Sequence, residues 1–386
     1  MTPGQAADDL DTAVSLGVRA LRDAAGLDWS ARAAGLEWSR RDTAVHLAGD
    51  LTGFAAQLAA RATDGYLPLL VDAAPAASPG ALIDLVEAAG RLLGAAVRAA
   101  RPGDRAWHPA GVAAADGFAA MGVTEVLVHT HDILSGAGGT AWEAPAELSA
   151  RVLARLFPHV PARRHRATGG GPWAALLWAT GRAGLPGLPR PRVWRWYNEP
   201  VRGRGVTLCE ISPVLAADLC AGGTGGFAWP ADGPAEGTRL AAGTVVKARE
   251  DGTYRPGWGA YAIVRDHDRR AVGGIGFHAA PDGDGRAEIG YDLVPSGRGA
   301  GHATEALRAL CAWAFAQPGV SALYAGADDG NAPSRAVLRR AGFRRTGHVA
   351  GTGWYALTPQ ERGTAPESHQ SCGRASRPGE ASRPRH

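Results

Sequence analysis

The spacing of apolar residues changes near Val206, and this change limits what the chain can fold into. Before Val206 the apolar residues recur at helical intervals, and after it they come in short strand-like runs. Such a change is typical of a helical domain followed by a domain built around a sheet. The length of 386 residues allows two domains. We therefore expect a helical bundle over 1–150, a helical extension and proline-rich linker over 151–204, an α/β domain over 205–357 and a disordered tail over 358–386.

The N-terminal region contains apolar stretches with the period of an amphipathic helix. Segments that contain proline and glycine separate them, as connections between helices do. This pattern predicts an all-α four-helix bundle with up-and-down topology. The stretches are Leu10 to Leu21, Leu47 to Leu58, Leu82 to Val97 and Phe118 to Leu134.

The C-terminal region contains strand-like runs with helical patterns between some of them, which predicts a mixed α/β domain. The runs are VTLCEI, GAYAIVRD, AVGGIGFH, AEIGYDLV, ALYAGA and WYAL. HDRR, between two of these runs, is expected to form a hairpin loop. The proline density of LPGLPRPRVW excludes a continuous helix or a central strand there, and we interpret it as the linker, partly packed through Trp194 and Trp196. We expect the tryptophans of PWAALLWATGRAGLPGLPR, Trp173 and Trp178, to pack between the domains.

Composition narrows the function classes. Apolar runs of about 18 residues are missing from the sequence, so no transmembrane helix is predicted. The N-terminus lacks the pattern of a secretory signal, and we expect a cytoplasmic protein without a membrane partner. The four cysteines form no CxxC pair, which argues against a disulfide framework or a cysteine zinc site. The net charge of +4 comes without interleaved basic and aromatic residues, so no nucleic-acid partner is expected.

The most informative segment is AEIGYDLVPSGRGAGHATEALRALCAWAF, at 287–315. A strand runs into a glycine-rich turn at 295–301, and a helix follows at once. The free N–H groups and the dipole of a helix N-terminus bind phosphate groups, and Gly299 and Gly301 allow the backbone to approach a ligand closely. Arg298 adds a charged donor. The alternative is an ordinary tight connection between a strand and a helix.

Similarity to a known family, in this segment and in a second one, supports the phosphate interpretation. Arg298-Gly-Ala-Gly301-His-Ala303 resembles the acyl-CoA signature of the GNAT acetyltransferases, and Asn331 to Phe343 resembles the second half of that family's motif. The sequence of the segment at 287–315 is most similar to the subgroup of ribosomal-protein N-terminal acetyltransferases. The resemblance implies a GNAT fold with a mixed, mostly antiparallel sheet, acetyl-CoA as cosubstrate and an amine acceptor. The implied cofactor-binding residues are Leu293, Arg298, Gly299, Ala300, Gly301, His302, Ala303, Asn331 and Ser334.

The resemblance also implies that an amine attacks the thioester directly and that a base removes its proton. Glu288 is the candidate base, because it lies on the strand before the turn, where members of this family often place a carboxylate. The alternative is a surface carboxylate at the start of a strand. Asp328 and Asp329 are weaker candidates.

One departure concerns the general acid. Many members of the family have a tyrosine four residues before the Gly-Phe pair, and Leu338 occupies that position here. Either no such acid is used, or Tyr355 or Tyr291 takes the role. We expect the acceptor pocket to be built from 212–258, a stretch that contains Trp229, Glu236, Glu250, Asp251 and Trp258 and that suits a cationic amine.

Polar residues stand out in the apolar segment FAAMGVTEVLVHTHDIL, at 118–134. Glu125 and His129 are four residues apart and face the same way on a helix, and Asp132 follows on that face. His46 is placed similarly beside the apolar stripe of the second helix. Burying such groups unpaired costs several kcal/mol, so they hydrogen-bond each other or bind a metal. Two histidines and a carboxylate are a common zinc ligand set.

These residues carry a second resemblance. The patterns around Trp38, Asp42 and His46, and around Glu125, His129 and Asp132, resemble the metal-binding domain of mycothiol-dependent maleylpyruvate isomerases, which has a DinB-like fold. The resemblance implies a divalent metal, zinc, bound by His46, Glu125 and His129, and a low-molecular-weight thiol as a partner. The family's own C-terminal domain is replaced here, so isomerase activity is not implied.

Together these features predict an N-acetyltransferase with an appended metal-binding bundle. The alternative is a thiol-dependent transferase or isomerase in the bundle, with the GNAT domain as an acyl-CoA sensor. A third hypothesis is a sensor of acyl-CoA without catalytic activity.

Overall fold

The computed structural model describes residues 2–63, 65–136, 142–160 and 171–359. The predicted tail falls outside these residues from 360 onward. No helix within these ranges is both long and apolar enough to cross a membrane.

Long helices form the N-terminal region, as the apolar periodicity predicts. The first three of these helices begin at favourable caps, since the hydroxyls of Thr2, Ser39 and Ser78 accept hydrogen bonds from backbone N–H groups of the first turn. Ser39 also forms a capping box with Asp42. The helices are α1 (Pro3–Asp23), α2 (Arg40–Ala60), α3 (Pro79–Ala99) and α4 (Ala115–Leu134). α4 is buried along nearly its whole length, because it lies at the centre of the bundle core.

The segment after α4 also packs on the bundle. Helices α5 (Ala146–Leu156) and α6 (Pro172–Ala179) bury Leu156 and Trp178 in the bundle core. Trp196 belongs to the same core, and Trp194 packs against it. The proline-rich segment is therefore attached to the bundle through its tryptophans. A small hairpin, β1 (Arg105–Ala106) and β2 (Ala113–Ala114), lies between α3 and α4.

A mixed sheet forms the C-terminal region. Its strands are β3 (Val201–Gly203), β4 (Val206–Glu210), β5 (Ala260–Arg265), β6 (Ala271–Phe277), β7 (Arg286–Leu293), β8 (Ala322–Asp328), β9 (Arg344–Val349) and β10 (Thr352–Leu357). Their order in the sheet is β3-β4-β5-β6-β7-β8-β10-β9, and every neighbouring pair is antiparallel except β7 and β8. The predicted fold class, a helical region followed by a mixed, mostly antiparallel α/β domain, is confirmed.

Helices cover both faces of this sheet. α9 (His302–Phe315) and α10 (Ala332–Arg340) lie on one face, and α7 (Pro213–Cys220) and α8 (Glu236–Glu250) lie on the other. The six strand-like runs correspond to six of these strands. β3 and β9 were not predicted, because β3 has only three residues and all residues of β9 are exposed.

The two regions meet at a junction of buried polar and aromatic groups. The guanidinium of Arg155 donates to the carbonyl of Asn198 over 2.7 Å, and the amide of Asn198 donates to the carbonyl of Gly111 over 2.6 Å. His159 packs against Tyr197 and Phe227. Burial, and then the nearby charge of Arg195, lowers the pKa of His159 to about 3, so this ring is neutral near pH 7.

Candidate active site and metal centre

The glycine-rich turn adopts a backbone conformation that suits glycine. Gly299 and Gly301 have φ values of +79° and +83°, and Gly301 is the N-cap of α9. A Cβ atom at either position would meet no other atom within 4 Å, so the constraint is the backbone angle. The imidazole of His302 lies 3.0 Å from the carbonyl oxygen of Gly297, and the guanidinium of Arg298 donates to the carbonyl of Leu293. The turn is thereby fixed from both sides.

A cavity of about 620 Å³ opens in front of this turn. All of the predicted cofactor-binding residues except Ala300 line it. The lining residues are Tyr291, Asp292, Leu293, Arg298, Gly299, Gly301, His302, Ala303, Thr304, Asn331, Pro333, Ser334, Ala336, Val337 and Arg340. Two guanidiniums and the free N–H groups of the α9 N-terminus give the cavity the donors that phosphate groups require.

The end of β7, which lines this cavity through Tyr291, Asp292 and Leu293, is separated from β8. β7 and β8 are paired from Arg286 to Glu288, opposite Ala322 to Tyr324. Beyond this point β7 stays paired with β6 up to Leu293, and β8 stays paired with β10 up to Asp328. The two parallel strands therefore separate after Glu288, and the edge of β7 offers backbone groups to an extended ligand.

Glu288 lies where this separation begins. Its carboxylate is 3.2 Å from Nδ1 of His278, and both side chains are partly exposed. Sequence analysis did not identify His278, because its position beside Glu288 depends on the pairing of β6 with β7. A carboxylate at the fork of the strands, in contact with an imidazole, is suited to accept a proton.

Leu338, at the family's tyrosine position, and the two candidates for a general acid, Tyr355 and Tyr291, lie in different places. Leu338 is fully buried in the core and contributes packing only. Tyr355 lines a different surface depression, on the far side of α10, together with Phe343. Tyr291 lines the large cavity, and its hydroxyl lies 2.9 Å from Oγ of Ser334. Burial raises the pKa of Tyr291 above its ordinary value, which keeps the phenol protonated near pH 7.

The weaker base candidates belong to a turn. The carboxylate of Asp328 accepts from the hydroxyl of Thr352 over 3.0 Å, and that of Asp329 lies 2.7 Å from Nε2 of His348. These contacts hold the loop after β8. The hydrogen bond to His348 lowers the pKa of Asp329.

The residues expected to bind the acceptor lie in different environments in the structure. Trp229 is buried, and its indole donates to the carbonyl of Thr224. Trp258 lines a cavity of about 310 Å³, which His278 also lines. The acidic side chains Glu236, Glu250 and Asp251 are exposed on and after α8. This smaller cavity adjoins the partner of Glu288.

The N-terminal bundle brings together the three predicted metal ligands. One donor atom from each of His46, Glu125 and His129 lies within 4.8 Å of the others. Nε2 of His129 is 2.9 Å from the carboxylate of Glu125, and the rings of His46 and His129 are 5.1 Å apart. Glu125 and His129 are 7% and 5% exposed. A pair of imidazoles and a carboxylate converging in this way fits a divalent cation.

Asp132 contacts His129 on the side of the imidazole that faces away from the cluster. Its carboxylate lies 3.0 Å from Nδ1 of His129, which leaves Nε2 directed at the cluster. Arg182 donates to both oxygens of Asp132, over 3.2 and 2.7 Å. Burial opposes protonation of His129, but the hydrogen bonds to Asp132 and Glu125 outweigh it and raise the pKa to about 9. Without a cation the cluster is thus a satisfied ion-pair network.

Asp50 was not identified from the sequence. It follows His46 by one helical turn, and its carboxylate lies 3.2 Å from Nε2 of His46. Burial, and then the negative charge of Glu125, raises the pKa of Asp50 to about 7. The ring of Trp38 packs against the ring of His46 with centroids 4.6 Å apart, and Trp38 is 44% exposed. The cluster is therefore closest to solvent on the side of His46 and Asp50.

Comparisons with known proteins agree with both motif assignments. A family model described as the acetyltransferase (GNAT) domain matches residues 226–344. A model described as the mycothiol maleylpyruvate isomerase N-terminal domain matches residues 8–134. Both family resemblances are therefore confirmed over the matched residues, while the boundaries predicted at 150 and 204 stay predictions.

Individual relatives match part of the chain. The uncharacterized N-acetyltransferases YjdG and YoaA of Bacillus subtilis are each 33% identical, over 98 and 90 residues, which are 25% and 23% of this chain and 57% and 49% of theirs. The chain thus spans about half the length of the curated relatives it matches. The solved ribosomal-protein-S5-alanine acetyltransferase from Vibrio fischeri is 13% identical with a TM-score of 0.31, covering 42% of this chain and 96% of that one.

Proposed function

We propose that this protein is an acetyl-CoA-dependent N-acetyltransferase that acts on a primary amine of a small molecule, a peptide or a protein N-terminus. The carrying observation is the cavity lined by the glycine turn of α9 and the end of β7, which is no longer paired with β8 there. The GNAT family match over 226–344 supports the assignment. The pyrophosphate of the cosubstrate is assigned to the N–H groups of Gly299 to Ala303 and to Arg298, and the pantetheine arm to the edge of β7 ending at Leu293.

The proposed reaction is a direct transfer. Glu288 accepts a proton from the ammonium group of the acceptor, and His278 holds the carboxylate in place. The amine nitrogen then bonds to the acetyl carbonyl carbon, and the carbon–sulfur bond breaks as the tetrahedral intermediate collapses. The leaving thiolate takes a proton from Tyr291. The proton that the nitrogen loses as the amide forms passes to solvent, from which Tyr291 regains its own. The acceptor enters through the cavity lined by Trp258 and His278.

A second proposal concerns the bundle, which we assign as a divalent-metal site held by His46, Glu125 and His129. The convergence of the three donor atoms supports it. When bound, zinc supplies a positive charge that ionises a ligand such as water or a thiol. In the chain itself, Asp132 and Arg182 fix the tautomer of His129, and metal binding displaces the proton that His129 otherwise holds.

The transferase proposal is tested by following thiol release from acetyl-CoA with a panel of polyamines, amino acids and short peptides, and by mass spectrometry of the products. We expect amine-dependent release by the wild type and a loss of about 100-fold or more in kcat for Glu288→Gln, with unchanged acetyl-CoA affinity. Asp329→Asn is the control. A rate in Glu288→Gln equal to the wild type contradicts the assignment of the base.

A further inference from the structure

We propose that Asp50 is a fourth protein ligand of the metal site and fills the position that His46, Glu125 and His129 leave open. This inference rests on the metal site proposed above. It changes the chemistry of that site, because three-ligand zinc sites keep an open position and four-ligand sites are closed.

The position of Asp50 on the helix supports this role. His46 and Asp50 are four residues apart on α2, so their side chains project from the same face. The two side chains are 35% and 31% exposed, whereas the opposite ligands on α4 are almost fully buried. Asp50 therefore lies on the solvent side of the cluster, where an exchangeable ligand would otherwise enter.

The distances are those of neighbouring ligands. Two donors that are each about 2.0–2.2 Å from a tetrahedral zinc ion lie roughly 3.3–3.6 Å apart. The contact between Asp50 and Nε2 of His46 is 3.2 Å, and the contact between Glu125 and Nε2 of His129 is 2.9 Å. Each helix thus presents a histidine and a carboxylate at a separation close to one edge of a metal tetrahedron.

The charges of the four groups balance a divalent cation. Asp132 is neutralised by Arg182 and belongs to the layer behind His129. Glu125 lies beside His129 and Asp50 lies beside His46, which itself belongs to the group of three donors within 4.8 Å of one another, so two carboxylates and two imidazoles are present at the site. A cation of charge +2 makes this set neutral, and a thiolate would bind only after Asp50 withdraws. The structure thereby argues for a site that retains its metal and resists thiol ligands.

The test is titration of the metal-free full-length protein with Co²⁺, followed by its visible absorption and by calorimetry. We compare the wild type with Asp50→Asn, Asp50→Ala and the control Asp72→Asn, which alters an exposed carboxylate in the loop after α2. We expect intense tetrahedral bands in the wild type and in Asp72→Asn. Asp50→Asn should bind Co²⁺ at least about tenfold more weakly, with weaker bands.

Added 2-mercaptoethanol provides the second readout. We expect a sulfur-to-cobalt charge-transfer band at lower thiol concentration in Asp50→Ala than in the wild type, because the substitution opens the fourth position. Equal Co²⁺ affinity and spectra in wild type and Asp50→Asn, or equal thiol binding in wild type and Asp50→Ala, overturn the role of Asp50 alone. A wild type that binds no Co²⁺ overturns the metal site itself. The melting temperature of each metal-free variant checks that it is folded.

Discussion

The acetyl-CoA cavity and the metal cluster bind their proposed ligands by different means. The cavity is open and has a volume of about 620 Å³. Its hydrogen-bond donors are mainly backbone N–H groups and two guanidiniums, from the segment that joins β7 to α9 and from α10. The cluster is compact and largely buried, and its donors are side chains from α2 and α4. The first arrangement admits and releases a large cosubstrate, while the second retains a small ion. This difference places the proposed turnover in the C-terminal region.

The largest expected effect separates the two sites. His46→Ala removes an imidazole donor, and we expect metal affinity to fall by more than about 100-fold, since even outer-shell substitutions cost 10–100-fold. Calorimetry with Zn²⁺ measures this loss, and the same variant titrated with acetyl-CoA should bind it as the wild type does. His131→Ala is the control, because His131 lies on α4 with Glu125 and His129 but its ring packs against Trp173. A parallel loss of acetyl-CoA affinity in His46→Ala would show that the two sites are coupled.

An intermediate effect sharpens the chemistry of the cavity. Tyr291→Phe removes the proposed proton donor to the thiolate, and we expect kcat to fall by about 10–100-fold with the alkaline limb of the pH profile altered. Tyr355→Phe removes a hydroxyl outside the cavity, and it should change kcat by less than about twofold. Steady-state kinetics over pH 6 to 10 distinguish them. The assignment is wrong if the two variants are equally impaired or if only Tyr355→Phe is.

The smallest expected effect concerns the junction between the regions. The folded pKa of His159, about 3, lies below its unfolded value near 6.5, so its contribution to stability is complete above pH 6.5 and is lost as the pH falls toward 3. At pH 5 this loss amounts to about 2 kcal/mol. His159→Phe keeps an aromatic ring and should lose less stability between pH 7 and pH 5, measured by urea unfolding.

His267→Phe is the matched control for that prediction, because the side chain of His267 is 65% exposed. It should keep the acid sensitivity of the wild type. Equal acid sensitivity in His159→Phe and the wild type would mean that the junction does not bury a neutral histidine.

The difference between a site built from one continuous segment and a site built from separate elements explains what the sequence could predict. The glycine turn is contiguous, and its chemistry follows from a strand, two glycines and a helix in succession. Nearly all of the residues predicted to bind the cofactor line one cavity. Asp50 escaped notice because an acid one turn after a histidine is ordinary on an amphipathic helix. Its proximity to Glu125 depends on how α2 packs on α4. His278 similarly reaches Glu288 only through strand pairing.

The sequence left the choice between Tyr291 and Tyr355 as general acid open for the same reason, since it depends on how the strands pair. Tyr291 and Tyr355 both lie on strands, and spacing alone does not tell which face or which end of the sheet each side chain occupies. The exposed strand β9 was missed because its residues carry no apolar alternation. Local chemistry was thus predictable from the residues alone. Convergence of side chains across elements was predicted only for His46, Glu125 and His129, where the family resemblance supplied it.

The central claim, that the glycine turn binds acetyl-CoA, is tested most directly by calorimetric titration of the wild type, Gly301→Glu and Gly319→Glu. Gly301 and Gly319 have φ values of +83° and +79°, and a Cβ at either would meet no atom within 4 Å, so both substitutions impose similar backbone strain. Only Gly301→Glu places a carboxylate at the N-terminus of α9, where it would repel and block a pyrophosphate. We predict binding by the wild type and by Gly319→Glu, and none by Gly301→Glu. Absence of binding in the wild type, or equal binding in Gly301→Glu, would contradict the claim.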